Sequence, residues 1–183
     1  VMRIIEKMSP SFDQTVIGGY PPLVREIVAA CSHNKIDLEK LGIKLFFGGE
    51  GFSEKWRTYV HRKIHAKDEY SSSINMYGTA DSSILGIETP ASIFFRKLLD
   101  ENDSLRASML HEERSPSILS YNPLAKFFEK DSSDQTLLLT ASSGLPLIRY
   151  RIGDTGGTIN FERITELVSH HKKLGFEDSL PLV

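Results

Sequence analysis

The sequence LPLIRYRIGD, residues 145–154, is the most informative segment of this 183-residue chain. Its alternating side chains predict a half-buried β-strand, because successive residues of a strand point to opposite faces. Counting in twos predicts two faces, with Leu147, Arg149 and Arg151 on one, and Ile148, Tyr150 and Ile152 on the other. The two arginines suit either a phosphate or carboxylate ligand or ion pairs with acids on neighbouring strands, and both alternatives stay open.

Gly153 and Asp154 end this strand and supply its most informative polar group. Glycine frees the backbone to turn, which places Asp154 at the strand end. A carboxylate there can accept two hydrogen bonds from a vicinal diol such as a ribose. An isolated Gly-Asp pair would more simply be a surface turn, so the interpretation depends on segments upstream.

Upstream of this strand, the sequence predicts strands and helices in alternation with short connections. Strands are predicted at residues 15–17, 43–47 and 73–77, with a helix opened by Pro21-Pro22 and another capped by Ser53. This order implies right-handed crossovers and a parallel sheet, in which ligands bind beyond the carboxyl ends of the strands. Gly18-Gly19, Gly48-Gly49 and Gly78, with the polar run 77–81, are expected at those ends.

Downstream, the pattern changes from α/β to antiparallel β. A helix is predicted at 91–99, a polar loop at 100–116, and short strands at 117–121, 126–129, 136–140 and 147–152, with a hairpin loop at 130–134. A last helix at 162–174 would turn Ile164, Leu167 and Val168 inward. We therefore expect a parallel α/β part at 1–116, an antiparallel β subdomain at 117–160, and a C-terminal helix at 161–183.

The amino-acid composition indicates a globular domain and argues against nucleic-acid binding and against a membrane span. Hydrophobic residues make up 40% and charged residues 25%, which is typical of a globular domain. The net charge of -2, without a basic block, disfavours nucleic acid as a partner. No apolar run approaches the roughly 20 residues that span a bilayer, and no signal peptide is visible. The single cysteine fits a reducing cytoplasm, where we expect the protein. The first residue is Val1 and residues 179–183 are apolar, so we expect a piece of a longer protein.

Three segments in this order resemble phenylacetate–CoA ligase-like adenylate-forming enzymes, of the acyl-CoA synthetase superfamily. FGGEGFSE at 47–54 resembles their strand-end glycine loop, and MYGTAD at 76–81 resembles their Tyr-Gly-x-x-Glu motif. PLIRYRIGD at 146–154 resembles their Pro-Leu-Ile-Arg-Tyr-Arg-x-Gly-Asp segment and is the most specific of the three. The resemblance runs from about residue 15 to 157, and it implies part of the large N-terminal domain of such an enzyme.

The resemblance implies an activity and its cofactors. Such enzymes join a small carboxylic acid to the α-phosphate of ATP with the help of Mg²⁺, and then pass the acyl group to a thiol, usually that of coenzyme A. It also implies roles for residues of this chain. Asp154 would hold the ribose hydroxyls, and Tyr77 would lie against the adenine. Thr79 would donate to the α-phosphate. Asp81 stands where the family has a glutamate that helps to hold magnesium, and its side chain is one methylene shorter.

The remaining implied site residues are Gly48, Gly49, Glu50 and Gly78, which the resemblance assigns to nucleotide binding, with the first three bordering the adenine and acyl pockets. The family's phosphate loop and its C-terminal lysine domain have no counterpart in this sequence, so we expect the chain alone to be inactive. Two alternatives remain. One is an acyl-protein synthetase or capsule-biosynthesis-type protein with a different acceptor, and the other is a non-catalytic nucleotide-binding module. The oligomeric state stays undetermined.

Other residues have simpler explanations than chemistry. His61 and His65 are four residues apart, which suits zinc, but we expect them on a solvated basic helix face. Glu88 is expected in a turn and Cys31 in the core. The helix after Ser53 is expected to bury one stripe of side chains, namely Trp56, Tyr59, Val60 and Ile64.

Overall fold

The structure is a computed structural model that describes residues 1–110, 115–143 and 145–170. It divides into two compact units. The first unit comprises residues 1–76 and 87–119, and the second comprises residues 77–86 and 120–183. The three-part division at 116 and 160 stays a prediction.

Two sheets and six helices make up the described residues. The parallel part contains α1 (Met2–Met8), β1 (Thr15–Gly19), α2 (Pro21–His33), β2 (Ile43–Gly48), α3 (Glu54–Lys63), β3 (Ser73–Thr79), β4 (Ser83–Ile87), α4 (Pro90–Glu101) and α5 (Asp103–Leu110). The later part contains β5 (Lys126–Lys130), β6 (Thr136–Ser143), β7 (Leu145–Thr155) and α6 (Phe161–His170). Short 3₁₀ turns lie at Ser9–Ser11 and Leu38–Leu41.

The predicted parallel sheet is confirmed. Its strand order is β1-β2-β3-β4, and β2 pairs in parallel with both β1 and β3. Gly19 is opposite Phe47 and Gly48 is opposite Met76, so the glycine corners do follow the carboxyl ends of these strands. The chain therefore has the predicted mixed α/β architecture, with a helix-flanked parallel sheet and a smaller antiparallel sheet.

The core of the first unit lies between this sheet and its helices. Val24, Val28 and Cys31 recur along α2 with helical spacing, and each is at most 2% exposed. Cys31 is thus a core residue, as predicted. On α3, Val60 and Ile64 are buried, but Tyr59 is 46% exposed. The prediction for Tyr59 is wrong because the buried face of this helix is narrower than the aromatic spacing suggested.

Two local predictions are wrong in the segment between the two sheets, and one strand of the first sheet was not predicted. Residues 103–110 form helix α5 rather than a loop, and the Asn102 side chain accepts the Leu105 amide at 3.0 Å as its cap. Strand β4 was not predicted at all. Residues 117–121 form no strand, since only Ser120 makes an isolated bridge.

A buried ion-pair network crosses the first unit, with the Arg57 guanidinium at its centre. Arg57 is 0% exposed and donates to the Glu54 carboxylate at 2.9 Å and to the Glu88 carboxylate at 2.6 Å. It also donates to the Ser73 hydroxyl at 2.9 Å. Arg96 donates to Glu54 at 2.9 Å from helix α4. Every charge in the network has a partner of opposite sign, which is the condition under which buried charges are tolerated.

Glu88 and His61 belong to this buried region. Glu88 lies in the connection between β4 and α4, in keeping with the predicted turn, whereas the predicted solvated position of His61 is wrong. Glu88 is 2% exposed, and its second carboxylate oxygen accepts the Asn75 amide at 2.7 Å. His61 is 7% exposed, with its Nε2 atom 2.7 Å from the Ser73 hydroxyl. Burial and, to a lesser extent, the neighbouring Arg57 lower the pKa of His61 to about 4. The basic neighbours of His61 in the sequence predicted a solvated face, because they could not reveal its buried partner.

The antiparallel sheet has the order β5-β6-β7, and the acidic 130–134 segment connects β5 to β6 as predicted. Its core contains Leu85, Leu139, Ala141 and Leu147, against which Tyr77, Phe128 and Ile152 pack. In α6, which begins near the predicted residue 162, the predicted inward positions Leu167 and Val168 lie outside the described side chains.

The simple alternation predicted for residues 147–152 is wrong. Leu139 is opposite Tyr150, but Ala141 is opposite Leu147, so β7 carries one extra residue across this interval. Arg149 absorbs the extra residue with φ +49°. Such a bulge shifts the phase of a strand by one residue. As a result Tyr150 shares the face of Leu147 rather than the opposite face.

In the described residues, no helix combines the length and the apolar composition that a membrane span requires.

We predict that Arg57→Met lowers the free energy of unfolding by about 3–5 kcal/mol, because it strands the buried carboxylate of Glu88. Urea denaturation of the full chain measures this change. Arg62→Met on the exposed face of the same helix is the matched control and should have little effect. Equal stabilities of the two variants would show that the buried guanidinium is dispensable.

We also predict an acid-sensitive contribution from His61. The folded chain keeps this ring neutral down to about pH 4, whereas an unfolded histidine protonates near 6.5. Between these values the unfolded chain binds more protons, so stability present above pH 6.5 is lost as the pH falls towards 4. Urea midpoints between pH 7 and 4.5 should fall less steeply for His61→Gln than for the unmodified chain. Parallel curves would contradict the assignment.

Candidate functional site

Two tyrosines and two aspartates of the second unit pair crosswise on its exposed surface. The Tyr77 hydroxyl donates to the Asp154 carboxylate, and the Tyr150 hydroxyl donates to the Asp81 carboxylate at 2.7 Å. We refer to Tyr77, Asp81, Tyr150 and Asp154 as the tyrosine–aspartate clasp. Three of these four residues were predicted to be site residues, and the structure brings them together although 77 residues separate Tyr77 from Asp154.

Irregular backbone in β7 sets the direction of the two clasp residues on this strand, Tyr150 and Asp154. The extra residue at Arg149 turns Tyr150 to the inner face. A second irregularity follows, because Leu138 is opposite Arg151 while Thr136 is opposite Thr155. Gly153, with φ +95°, lies within it and precedes Asp154. A backbone of this shape favours glycine, so the Gly-Asp pair does mark a bend near the strand end.

The other two clasp residues are Tyr77, near the end of β3, and Asp81, in the turn between β3 and β4. Thr79 accepts the Ser82 amide at 3.1 Å through its hydroxyl oxygen, which leaves the hydroxyl hydrogen free to be donated. Gly78 is required here, since a Cβ at this position would lie 2.7 Å from the Ser83 carbonyl oxygen. Lys126 donates to the Ser82 carbonyl at 3.0 Å and thereby ties the turn to β5.

Each clasp hydrogen bond raises the pKa of its phenol. For Tyr77, burial is the main cause and the bond to Asp154 adds to it. For Tyr150, the hydrogen bond to Asp81 is the main cause. The two hydroxyls therefore stay protonated and act as donors, and the carboxylates act as acceptors. A carboxylate has lone pairs beyond those used by one phenol, so each can accept a further hydrogen bond.

The two arginines of β7 pair with acids on β5 and on the β5–β6 loop. Arg149 donates to Glu129 at 2.5 Å, while Arg151 donates to Asp134 at 2.6 Å and also to Asp131. Of the two alternatives left open for these arginines, the structure shows the ion pairs. Arg151 also fastens the β5–β6 loop to the strand that carries Asp154.

The predicted glycine loop belongs to the first unit. Gly48 ends β2, and Gly49 has φ +87°, so the chain turns sharply there. A Cβ on Gly49 would lie 3.6 Å from the Tyr20 ring. The Tyr20 hydroxyl is hydrogen-bonded to Glu50, and this bond raises the pKa of Tyr20. The loop thus presents an aromatic ring and a carboxylate side by side.

Sequence reasoning missed three residues of these two clusters, namely Tyr20, Lys126 and Tyr150. A signal existed for Tyr150, since Tyr77 and Asp81 have the same spacing as Tyr150 and Asp154. Tyr20 follows a strand directly, as a ligand-facing residue of a parallel sheet would. Lys126 carries no such signal, because its partner is the backbone of a distant turn.

The histidine pair lies beside a cavity of the first unit. His61 and His65 line an open cavity of 330 Å³ together with Glu69 and Lys97. However, among the residues that the structure describes, no three His, Cys, Asp or Glu side chains are grouped so as to hold a metal ion.

Comparison with solved structures shows where this fold occurs. The chain is similar to 2-hydroxyisobutyryl-CoA ligase in an open conformation in complex with 2-HIB-AMP and CoA, with a TM-score of 0.56 and 15% identity over 84% of this chain and 32% of that one. It is also similar to the same ligase in the postadenylation state in complex with 2-HIB-AMP, with a TM-score of 0.56 and 15% identity over 84% of this chain and 29% of that one.

The chain thus spans about a third of the length of the ligase chains that it matches. At this identity the likeness establishes a shared fold over the matched part of the ligase chain. No protein-family model matches the chain, and a search of curated proteins finds no match.

We predict that Asp81→Asn removes most of the pKa elevation of Tyr150, because the hydrogen bond to the carboxylate is its main cause. Asp154→Asn should remove only part of the elevation of Tyr77, since burial is the main cause there. NMR titration of ring-labelled tyrosine measures both changes. Asp134→Asn, which removes a similar exposed charge from Arg151, is the control and should alter neither phenol. An unchanged Tyr150 in Asp81→Asn would refute the clasp.

Proposed function

We propose that this chain is part of an ATP-dependent, phenylacetate–CoA ligase-like enzyme that adenylates a carboxylic acid and transfers the acyl group to coenzyme A. The observation that carries the proposal is the contact of Tyr77 with Asp154, an aromatic ring beside an exposed carboxylate. The fold shared with an acid–CoA ligase supports it, as do the three ordered segments that resemble this family.

The clasp offers the groups that an adenosine requires. The Asp154 carboxylate would accept both ribose hydroxyls, and charge-assisted hydrogen bonds of this kind are stronger than neutral ones. The Tyr77 ring is partly exposed, and an aromatic face suits an adenine base. The Tyr77 hydroxyl is hydrogen-bonded to the Asp154 carboxylate. A bound ribose would therefore either share this carboxylate with Tyr77 or replace the Tyr77 hydroxyl as its donor.

The proposed reaction has two steps. In the first, a carboxylate oxygen of the acid attacks the α-phosphorus of ATP, and the bond to pyrophosphate breaks. In the second, the thiolate sulfur of coenzyme A attacks the acyl carbon, and the bond to AMP breaks. Thr79 keeps a hydroxyl hydrogen that it would donate to an α-phosphate oxygen. The proposal also keeps Gly48, Gly49 and Glu50 as the border of the adenine and acyl pockets.

The residues present fit the magnesium ion that such a reaction uses. Asp81 is exposed, and Tyr150 bonds one of its carboxylate oxygens, so the other oxygen can face a cation. Mg²⁺ is usually bound by one or two carboxylates together with phosphates and water rather than by a full protein cage. When bound, the ion would neutralise phosphate charge.

The proposal names coenzyme A as the acceptor of the acyl group, and it holds that the protein catalyses the reaction. A protein thiol in place of coenzyme A is the alternative within the same chemistry. Asp81 in place of glutamate favours the second alternative, a module that binds nucleotide without catalysis. Both alternatives share the nucleotide site, so its test comes first. We propose a cytoplasmic location, in keeping with the use of ATP and coenzyme A.

We predict that the full chain binds AMP more tightly than 2′,3′-dideoxy-AMP, because only AMP offers the diol to Asp154. Hydrogen bonds to charged groups contribute about 1.5–3 kcal/mol, so the preference should be at least about tenfold. Asp154→Ala should abolish this preference while the protein stays folded. Isothermal titration or ligand-observed NMR gives both dissociation constants.

Asp134→Ala is the matched control, since Asp134 is also an exposed aspartate of the antiparallel sheet region and should leave the preference intact. The absence of AMP binding by the unmodified chain would overturn the proposal. An equal preference in Asp154→Ala and the unmodified chain would overturn the role of Asp154.

A further inference from the structure

Tyr150 is a clasp residue to which neither the motif resemblance nor the proposed reaction assigns a role. Its hydroxyl donates to Asp81 at 2.7 Å, although Asp81 lies 69 residues away. Tyr150 is 37% exposed, so the bond lies at the surface where a ligand could reach it. The backbone of the β3–β4 turn and the irregularity of β7 together bring this hydroxyl to this carboxylate.

Two hydrogen bonds of Ser82 hold the backbone on the C-terminal side of Asp81. The Ser82 amide donates to Thr79, and Lys126 donates to the Ser82 carbonyl oxygen. The Asp81 side chain is nevertheless exposed. Among the described contacts, the Tyr150 hydroxyl is the group that fixes the direction of this carboxylate.

Tyr150 reaches Asp81 only because β7 is irregular. Without the extra residue at Arg149, the alternation of the strand would turn Tyr150 away from the face of Leu147. A non-glycine residue at φ +49° is uncommon, and bulges of this kind often re-aim a side chain. The register therefore places the phenol where the turn presents Asp81.

The side chain of Asp81 has less reach than the glutamate found at this place in the resembling family. A shorter carboxylate must be held in a narrower range of positions to serve the same cation. A donor on one oxygen fixes the orientation of the group and leaves the lone pairs of the other oxygen available. Tyr150 supplies such a donor, and its rigid ring sits on a strand.

We propose that Tyr150 is a positioning residue that holds the Asp81 carboxylate in place for the magnesium ion of a bound Mg–ATP. This inference rests on the proposed function, because it assumes that nucleotide binds beside Tyr77 and Asp154. It extends that function by assigning the metal-side carboxylate a partner. The hydroxyl of Tyr150 acts on Asp81 and touches neither the acid nor the reacting phosphorus.

The test compares ATP binding with and without magnesium for the full chain. The ratio of the dissociation constant in EDTA to that in Mg²⁺ measures the gain from the metal. Tyr150→Phe keeps the ring and removes the hydroxyl, and we expect it to reduce this gain by about three- to tenfold, the effect of one orienting hydrogen bond of ordinary net strength. Asp81→Asn should abolish the gain, and the double variant should be no worse than Asp81→Asn alone.

Two controls separate positioning from structural damage. Tyr121→Phe removes a hydroxyl from another tyrosine of the second unit, whose ring packs at 5.0 Å from Phe128, and it should leave the gain unchanged. AMP affinity without metal should be the same in Tyr150→Phe and the unmodified chain. A merely structural role for Tyr150 would weaken AMP binding as well.

The outcomes distinguish the inference from the function on which it rests. If the unmodified chain binds neither AMP nor ATP, both are overturned. If it binds AMP but Tyr150→Phe keeps the full magnesium gain, or if no gain exists to lose, the positioning role falls and the nucleotide site stands. An equal loss in Tyr121→Phe would likewise overturn it. A loss confined to Tyr150→Phe and Asp81→Asn supports it.

Discussion

The buried carboxylate of Glu88 is the constraint on which the first unit depends. One oxygen accepts the Arg57 guanidinium and the other accepts the Asn75 amide, so a single side chain ties helix α3 to strand β3. The Glu88 amide also donates to the Asn75 carbonyl at 2.8 Å, which fixes the chain as it leaves β4. Because β3 and β4 form one hairpin, this residue sets the base of the segment that carries Tyr77 and Asp81. An unpaired charge in this place would cost several kcal/mol, which explains why every member of the network has a partner.

The second unit uses a different device, in which irregular backbone brings polar groups together. A regular β7 would present Tyr150 and Leu147 on opposite faces, and Asp154 would continue the ladder. The extra residue at Arg149 changes the direction of Tyr150, and the glycine at 153 changes the direction of Asp154. The resulting clasp satisfies two phenols and two carboxylates with one another in the absence of a ligand. Under the proposed function, a nucleotide would find the Asp154 carboxylate already oriented, and it would exchange hydrogen bonds rather than desolvate a free carboxylate.

Much of the fold could be predicted because its signals are local. Strand-helix-strand order, the prolines before α2 and the Ser53 cap each act within a few residues, and the parallel sheet follows from them. The errors arose where partners are distant. His61 was predicted on a solvated face and Glu88 in a turn, and only the folded chain shows that both are buried, with Ser73 and Arg57 as their partners. The cap formed by Asn102 was a local signal for α5, but the polar composition of that segment obscured it. Strand alternation predicted the faces of β7 wrongly, since the φ of Arg149 responds to the pairing with β6 and not to its neighbours in sequence.

The sequence by itself determined the periodicities, the glycine corners and the two tyrosine–aspartate spacings, because these depend on side-chain types and on contacts a few residues apart. It thereby set which carboxylates and which aromatic rings are available for chemistry. The tertiary structure alone decided which tyrosine pairs with which aspartate, and which arginine is buried. Those choices depend on strand register and on the cost of leaving a charge unpaired, and both are properties of residues that meet only after the chain has folded.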